Sequence, residues 1–334
     1  METVDLYVRS LKRLYMSDIS FSFYFQQDNP LMGNVIEEKG FEFLRYTTKK
    51  AEELGFKTVF YPDHFMLPKN KTLLSCWCVL SALAEATKKI RLCSLVTPIP
   101  LYPIHILLKN LITVDNVSKG RVMFGVGAGW YEREFNAYGI PFPKLRERVE
   151  MVEEAIKAFK MLCEKEGPVS CKGKYYRLDD VLFYPKPVQK PHPPIWIGGS
   201  SNRILSLTAK YAQGWIPYEQ PLDAMKNKIE RLKRLLVENG RRKDDVEVAM
   251  SFRCIVSDKK EEVEETMKML NLKREFVNVL GVRSRIIAGT TEEVVEELRS
   301  YVEVGVRHFC FGMQPSYQIP EKLEFIRDKV IPQL

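Results

Sequence analysis

The chain has 334 residues, of which 45% are hydrophobic and 28% are charged. This composition is typical of a globular protein and excludes a disordered chain, collagen or a long coiled coil. No run approaches the ~18 consecutive apolar residues that a membrane-spanning helix needs, and the amino terminus lacks the apolar segment of a secretory signal. We therefore expect a cytoplasmic protein with no membrane partner.

Charge and cysteine usage exclude further classes. The 51 lysines and arginines exceed the 43 aspartates and glutamates and give a formal net charge of +8. Basic residues are interleaved with acidic ones, so nucleic acid is not the expected partner, whereas a small polyanionic ligand is compatible with this charge. The seven cysteines and four histidines show no zinc-binding spacing or disulfide framework. We expect no metal.

Short apolar segments alternate along the chain with longer segments whose apolar residues have helical spacing. The predicted strands are Ser20–Phe25, Thr58–Tyr61, Ile90–Val96, Arg121–Val126, Pro194–Ile197, Gly214–Pro217, Glu247–Val256 and His308–Gly312. The predicted helices that separate or follow them are Phe41–Leu54, Trp77–Ala86, Ile104–Val117, Leu145–Cys163, Asn202–Ala212, Leu222–Asn239, Glu292–Val304 and Pro320–Val330. Gly55 supplies a left-handed stop after the first of these helices.

Eight strand–helix units predict an α/β fold in which a parallel sheet closes into a single (β/α)8 TIM barrel over residues 1–334. A doubly wound open sheet is the alternative, but no G-x-G-x-x-G opens the first unit. Two segments interrupt the alternation: the proline-rich residues 166–193, with a possible small hairpin at 172–178, and residues 257–289, which contain a charged helix. We expect both to be insertions that cover the active site at the carboxyl-terminal face.

The carboxyl ends of the second and third strands carry candidate site residues, because reacting groups of such barrels lie there. His64 is the leading acid/base candidate, since an imidazole exchanges protons near neutral pH. Position alone does not distinguish this role from that of a buried structural histidine next to an Asp63 that caps a turn. The third strand ends at Ser94, Leu95 and Val96, where a flat ring could approach the backbone, although an ordinary buried strand has the same pattern.

Glycines follow the next two strands. In Gly125-Val126-Gly127-Ala128-Gly129-Trp130, alternate glycines remove side chains from one face, so that a ligand can lie against the backbone. Gly198-Gly199-Ser200-Ser201 leads into a helix, where free N–H groups favour a phosphate, although a plain capped turn has the same sequence. Glu134 is expected to form an ion pair with Arg146 or Arg148 that fixes the loop after the fourth strand.

Motifs along roughly residues 18 to 312 resemble those of the bacterial-luciferase-like oxidoreductases, in particular the branch of probable F420-dependent oxidoreductases. The resemblance is carried by Arg121–Trp130, Tyr138–Pro143, Gly173–Tyr176, Pro185–Gly199, Gly214–Trp215, Gly289–Val294 and Gly305–Phe309, together with Glu134, Glu147 and Arg148. It implies a (β/α)8 barrel that binds coenzyme F420, a deazaflavin, or FMN, with F420 favoured.

The resemblance also implies roles for individual residues. Asp63 and His64 would lie beside the ring, and the Ser94–Leu95 bond would be a non-prolyl cis peptide that supports it. Trp130 stands where some sugar-phosphate and alcohol dehydrogenases of the family carry an acidic glutamate, so their substrates and proton relay are not expected here. The implied cofactor-binding residues are Asp63, Ser94, Leu95, Val96, Gly127, Ala128, Gly129 and Trp130 at the ring and its chain, and Gly198, Gly199 and Ser200 at the phosphate.

The leading hypothesis from the sequence is an oxidoreductase that transfers a hydride between F420 and a small organic substrate, with His64 as acid/base. One alternative is an FMN-dependent monooxygenase that uses O2 and a separate flavin reductase. Another is a catalytically silent flavin-binding protein. A homodimer is expected because family members are often dimers, while the substrate itself is not predicted.

Overall fold

The computed structural model describes residues 19–25, 30–68, 72–218, 220–274, 277–279, 282–284 and 286–334. Within these ranges, eight parallel strands pair in a closed ring. In chain order they are β1 (Ser20–Tyr24), β2 (Thr58–Tyr61), β3 (Arg91–Ser94), β4 (Val122–Gly127), β5 (Ile195–Gly198), β6 (Gly214–Ile216), β7 (Glu247–Ser257) and β8 (His308–Met313). The predicted TIM barrel is confirmed.

The strand register shows how the ring closes. His308 of β8 pairs with Ser20 of β1 on one side and with Ala249 of β7 on the other. Glu247 of β7 pairs with Gly214 of β6, which joins the two halves of the sheet. A doubly wound sheet would have two unpaired edges, so the open-sheet alternative is wrong.

A helix follows each barrel strand and packs outside the ring. They are α1 (Pro30–Glu53), α2 (Cys76–Ala86), α3 (Ile104–Ser118), α4 (Leu145–Glu164), α5 (Asn202–Tyr211), α6 (Leu222–Glu238), α7 (Thr291–Val304) and α8 (Ile319–Phe325). α1 consists of two pieces joined at Gly40, whose φ is 54°, and the second piece coincides with the predicted helix. Shorter helical segments are Ile99–Leu101, Glu132–Ala137, Lys260–Met269, Ser316–Gln318, Ile326–Val330 and Ile331–Gln333.

Local sequence explains where α7 begins and ends. The Thr290 side chain accepts a hydrogen bond from the Glu293 amide, and the Glu293 carboxylate accepts one from the Thr290 amide. This reciprocal capping box satisfies two amides that an isolated helix start leaves unpaired. Gly305 ends the helix with a φ of 112°, which a residue with a side chain rarely adopts.

Side chains fill the barrel interior and close its amino-terminal end. Each of the eight strands contributes one buried residue to an interior cluster, and these residues are Tyr24, Phe60, Cys93, Met123, Trp196, Ile216, Ala249 and Cys310. Closer to the amino-terminal end, His308 is hydrogen-bonded to Ser22 at 2.5 Å and to Glu247 at 2.7 Å. Among the described residues the interior is therefore a packed core, so a ligand is expected at the carboxyl-terminal end.

Residues 166–193 lie at the amino-terminal end of the barrel and along α4, not over its mouth. They contain the predicted hairpin, with strands Val169–Lys172 and Arg177–Val181. The Gln189 side-chain amide donates to the carbonyl of Val122, the first residue of β4, at 2.7 Å. The expectation that this segment covers the active site is wrong because it joins the end of a helix to the start of a strand, and such connections lie opposite the catalytic face.

Residues 257–289 lie on the opposite side, at the carboxyl-terminal end of β7. The strand Ile286–Thr290 pairs with Arg253–Ser257, which extends β7 beyond the barrel. Helix Lys260–Met269 packs Val263 against this extension. A second hairpin consists of Val277–Val279 and Val282–Ser284. That this segment covers the active site stays a prediction.

None of the helices in the described ranges is long and apolar enough to cross a membrane.

Arg121 binds the carboxyl end of α2 at the base of the barrel. Its guanidinium donates to the carbonyls of Ala84, Thr87 and Ile90 at 2.6 to 3.1 Å. We expect Arg121→Met to lower the free energy of unfolding by about 2–3 kcal/mol, because the carbonyls of these three buried residues lose a charged donor. Chemical denaturation of the two proteins measures the difference.

Arg146→Met is the matched control, because Arg146 is an exposed arginine whose hydrogen-bonded partner, Glu150, lies on the same helix. It should change stability by less than about 0.5 kcal/mol. Equal effects of the two substitutions would contradict the role assigned to Arg121.

Candidate active site

A cavity of about 620 Å³ opens at the carboxyl-terminal end of the barrel. This volume lies in the range of small-molecule and cofactor sites. Of the twelve residues predicted from the sequence, ten line it: His64, Leu95, Val96, Gly127, Ala128, Gly129, Trp130, Gly198, Gly199 and Ser200. The other two, Asp63 and Ser94, lie beneath the cavity wall.

Asp63 supports the wall and does not face the cavity. Its side chain is fully buried and accepts hydrogen bonds from the Thr97 hydroxyl at 2.7 Å and the Tyr102 hydroxyl at 2.5 Å. Burial raises the pKa of Asp63, and these two hydrogen bonds oppose that rise. The carboxylate links the end of β2 to the loop after β3, and its expected position beside a ring stays a prediction.

The non-prolyl cis peptide is Leu95–Val96, one residue later than expected. Ser94 is buried, and its hydroxyl donates to the Gly125 carbonyl at 2.8 Å. β3 consequently stops at Ser94, and a second short strand, Thr97–Pro98, pairs with the end of β4. This arrangement brings Leu95 and Val96 to the cavity while Ser94 faces the next strand.

Packing within the protein requires glycine at three positions of β4 and β5, whether or not a ligand is bound. A Cβ atom on Gly125 would lie 1.9 Å from the Ser94 carbonyl oxygen. A Cβ atom on Gly127 or Gly198 would lie 2.6 or 2.8 Å from Cγ2 of Val96. Such distances are shorter than any normal packing contact, so the glycines make room for the Ser94–Val96 segment. That a ligand also lies against these glycines stays a prediction.

His64 is held by a buried carboxylate from the loop after β4. Its Nδ1 lies 2.8 Å from Oε2 of Glu134, and both side chains are buried, although His64 still lines the cavity. The other Glu134 oxygen, Oε1, accepts from the backbone amides of Phe65 and Met66 at 2.5 and 2.9 Å. A carboxylate is an acceptor only, so Nδ1 carries the hydrogen in this pair and Nε2 is available to a ligand.

This contact replaces the ion pair expected for Glu134. Arg146 is bound to Glu150 at 3.0 Å, and Arg148 donates to the carbonyls of Ala128 and Pro143. The prediction of a Glu134–arginine pair is wrong because both arginines have nearer partners, while the short helix Glu132–Ala137 turns Glu134 towards β2. Arg148 instead fixes the glycine-rich loop through its carbonyl groups.

Trp130 covers one side of His64. The two rings lie 5.6 Å apart at 72°, an edge-to-face contact. Trp130 has no acidic group, whereas His64, which it contacts, and Glu134, the partner of His64, are ionisable. The arrangement limits the rotation of His64 and leaves it beside an apolar surface.

The loop after β5 presents backbone donors to the cavity. Gly199 has a φ of 104°, and its carbonyl accepts from the Trp215 indole at 2.7 Å on the core side. Because the N–H of a trans peptide points away from its C=O, the Ser200 amide is directed away from the core. Ser201 caps α5 by accepting from the Ile204 amide at 3.3 Å. A helix start with free amides is a suitable site for a phosphate.

Two charged residues of the cavity wall were not predicted in their observed places, Glu134 as the partner of His64 and Lys228 on α6. Glu134 lies 70 positions from His64, and only the barrel brings them together. For Lys228 the available signal was its spacing from Pro221 and Ala224, which places all three on one face of α6.

The close approach of Val96 to Gly127 can be tested by substitution. We expect Gly127→Ala to lower the free energy of unfolding by about 1–3 kcal/mol, because the added methyl group overlaps Val96. The double variant Gly127→Ala with Val96→Ala should lose less stability than the sum of the single variants, since Cγ2 is then absent. A denaturation cycle over the four proteins measures this coupling, and strict additivity would contradict the contact.

The chain is similar in sequence to two kinds of enzyme, which differ in the cofactor they use. It is 28% identical over 205 residues to an FMNH(2)-dependent dimethylsulfone monooxygenase of Pseudomonas putida, a match that covers 61% of this chain and 55% of that protein. It is 26% identical over 309 residues to an F420-dependent glucose-6-phosphate dehydrogenase of Microbacterium testaceum (strain StLB037), which covers 85% of this chain and 90% of that protein.

Solved structures share the fold. An F420-dependent secondary alcohol dehydrogenase, in complex with an F420-acetone adduct, superposes with a TM-score of 0.76 at 22% identity and covers 95% of this chain and 99% of that one. A long-chain alkane monooxygenase gives a TM-score of 0.79 at 14% identity over 95% and 91%. The model of the luciferase-like monooxygenase family matches residues 19–281. The protein therefore belongs to the luciferase-like monooxygenase family and is an oxidoreductase of that family.

Proposed function

We propose that the protein transfers a hydride between coenzyme F420 and a small organic substrate, with His64 as the acid/base that exchanges the accompanying proton. The observation that carries this proposal is the buried Glu134–His64 pair in the wall of a cofactor-sized cavity. It leaves one ring nitrogen of His64 for a ligand at the wall of the cavity.

The residues of the cavity suit a planar ring with a phosphate-bearing chain. Leu95, Val96 and Ile216 give an apolar surface, while Gly199 and Ser200 give polar backbone groups at another part of the wall. A bound deazaflavin would supply the carbon atom that carries the hydride, and the protein would supply binding and orientation. The residues proposed to hold it are Leu95, Val96, Gly127, Ala128, Gly129 and Trp130 at the ring, and Gly198, Gly199 and Ser200 at the phosphate.

The chain's own groups each have a defined task in this proposal. Glu134 fixes the tautomer and the orientation of His64, so that Nε2 can give or take a proton. Trp130 holds the imidazole ring from the side and excludes water. Asp63 and Ser94 do not line the cavity, but their hydrogen bonds fix the loop that carries Leu95 and Val96.

F420 is favoured because the dehydrogenase match covers 90% of that relative, whereas the FMNH(2)-dependent match covers 55% of its relative. The second candidate is an FMN-dependent monooxygenase that takes reduced flavin from a separate reductase. The identity of 28% to the dimethylsulfone monooxygenase supports it. Both candidates use the same cavity and differ in the cofactor and in the need for O2.

Titration of the purified protein with each cofactor separates the two candidates. We expect F420 to bind more tightly than FMN and the protein with reduced F420 to consume no O2. Fluorescence of the cofactor measures binding, and an oxygen electrode measures consumption. Tighter binding of FMN, with O2 consumed when the flavin is reduced, would reverse the order of the two proposals.

Substitutions of the dyad test the proton-exchanging role. We expect His64→Ala to lower turnover by about 100- to 10,000-fold with little change in cofactor affinity. Glu134→Gln should lower turnover by about 10- to 100-fold, because its amide donates to Nδ1 and moves the ring proton to Nε2. The double variant should be no worse than His64→Ala, since Glu134 acts through His64. Turnover of a carbonyl or enone substrate found by screening measures all three effects.

His105→Ala is the matched control, because His105 lies exposed on α3 outside the cavity. It should leave turnover unchanged. Unchanged turnover in His64→Ala would remove His64 from the mechanism. Additive losses in the double variant would show that Glu134 acts by a separate route.

A further inference from the structure

Tyr102 contacts the residues on both sides of His64 in the chain. Its hydroxyl donates to Oδ1 of Asp63 at 2.5 Å, and its ring meets the Phe65 ring edge to face, with centroids 5.6 Å apart at 66°. Asp63, His64 and Phe65 are consecutive, and His64 is the member that lines the cavity. One side chain from the loop after β3 therefore binds both neighbours of the proposed acid/base.

The Asp63 carboxylate depends on Tyr102 for one of its hydrogen bonds. The side chain is fully buried, and its second oxygen, Oδ2, accepts from the Thr97 hydroxyl at 2.7 Å. Burial raises the pKa of Asp63, and the two hydrogen bonds oppose that rise. Loss of either hydroxyl would leave a buried oxygen without its donor, which is costly unless the carboxylate moves. The peptide unit that joins Asp63 to His64 would then move with it.

Tyr102 is itself fixed relative to the apolar surface proposed for the cofactor ring. Its amide donates to the Ile99 carbonyl at 3.2 Å. Ile99 directly follows the short strand Thr97–Pro98, which pairs with the end of β4. The same loop begins with Leu95 and Val96, which line the cavity. Tyr102 therefore relates the position of the proposed acid/base to that of the ring surface.

Glu134 and Tyr102 hold the same segment from two different loops. Glu134 comes from the loop after β4 and binds Nδ1 of His64 together with the amides of Phe65 and Met66. That contact sets the tautomer and the direction of the imidazole. Tyr102 comes from the loop that carries the ring surface, so its contacts set the separation between the imidazole and that surface.

We propose that Tyr102 is a positioning residue that holds His64 at a fixed distance from the ring surface during proton exchange. This inference rests on the proposed function, because it concerns hydride and proton transfer at one cofactor ring. Tyr102 does not line the cavity and acts through Asp63 and Phe65. Since a misplacement of reacting groups by about 1 Å can lower a rate by about 100-fold, a hydroxyl outside the cavity can control turnover.

Tyr102→Phe removes the hydroxyl and keeps the ring contact with Phe65. We expect kcat to fall by about tenfold or more, with KM and the Kd of the cofactor changed by less than about twofold. Thr97→Val, which removes the other donor to Asp63, should also lower kcat. Thr97→Ser keeps that hydroxyl and should retain the wild-type kcat. Steady-state kinetics with a substrate found by screening measures these effects.

Tyr211→Phe is the matched control. The Tyr211 hydroxyl is part-buried and donates to the Glu153 carboxylate at 2.9 Å, and neither residue lines the cavity. The control therefore loses the same kind of hydrogen bond away from the site, and it should lose stability without a change in kcat. Equal losses of kcat in Tyr102→Phe and Tyr211→Phe, or no loss in Tyr102→Phe, would overturn the inference.

Two further measurements separate positioning from a purely structural effect. In a His64→Ala background, Tyr102→Phe should cause no further loss of turnover, since Tyr102 acts through His64. In nitrogen-15 NMR of the protein without cofactor, Tyr102→Phe should broaden or split the His64 imidazole signals, whereas Tyr211→Phe should leave them as in the wild type. A further loss in the double variant, or unchanged His64 signals in Tyr102→Phe, would contradict a positioning role.

Failure of this inference is distinguishable from failure of the proposed function. If no cofactor binds, the proposed function is wrong, and the His64 signals of the unloaded protein still decide whether Tyr102 positions the histidine. If turnover falls in His64→Ala but not in Tyr102→Phe, the proposed function stands and the role of Tyr102 is wrong.

Discussion

The Glu134 carboxylate is the interaction on which the geometry of the active site depends. Its two oxygens reach three groups of the loop after β2, namely Nδ1 of His64 and the amides of Phe65 and Met66. A fully buried carboxylate needs such partners, because an unpaired one would be too costly to bury. The hydrogen bonds that make burial of the carboxylate possible also fix the tautomer of His64. The same contact therefore stabilises the fold and orients the proposed acid/base.

A second constraint shapes the surface that a cofactor would meet. Ser94, Leu95 and Val96 approach the neighbouring strands so closely that Gly125, Gly127 and Gly198 cannot carry side chains. The glycine-rich surface is therefore built around this segment and presents Leu95 and Val96 to the ligand. Asp63, which binds Thr97 and Tyr102 below, fixes the same segment from the β2 side. The cavity thus combines a rigid apolar surface with a polar end near α5 and α6.

Much of the fold could be predicted from the sequence because its determinants are local. Alternating apolar segments and the stop at Gly55 mark most elements within a few residues of their observed limits. The predicted position of residues 166–193 was wrong because it did not take the topology into account. A segment that joins α4 to β5 starts and ends at the amino-terminal end of the barrel. Ten predicted site residues line the cavity because strand ends of a closed barrel meet there.

The remaining features depend on contacts distant in sequence. The Glu134–His64 pair joins two loops that no local pattern relates, and nearby arginines offered a more obvious partner. The cis peptide Leu95–Val96 lies in a segment that packs against three glycines on two other strands. Lys228 reaches the cavity only because α6 turns one face towards it. Each of these three features could be recognised only from the tertiary structure.

The orientation of His64 by Glu134 is tested most directly by nitrogen-15 NMR of the imidazole in the wild-type protein. We expect a proton on Nδ1, hydrogen-bonded to Glu134, with the signal of Nε2 alone responding strongly when cofactor is added. An Nδ1 atom without a proton, or an Nδ1 signal that moves with cofactor while Nε2 does not, would contradict a histidine oriented by Glu134.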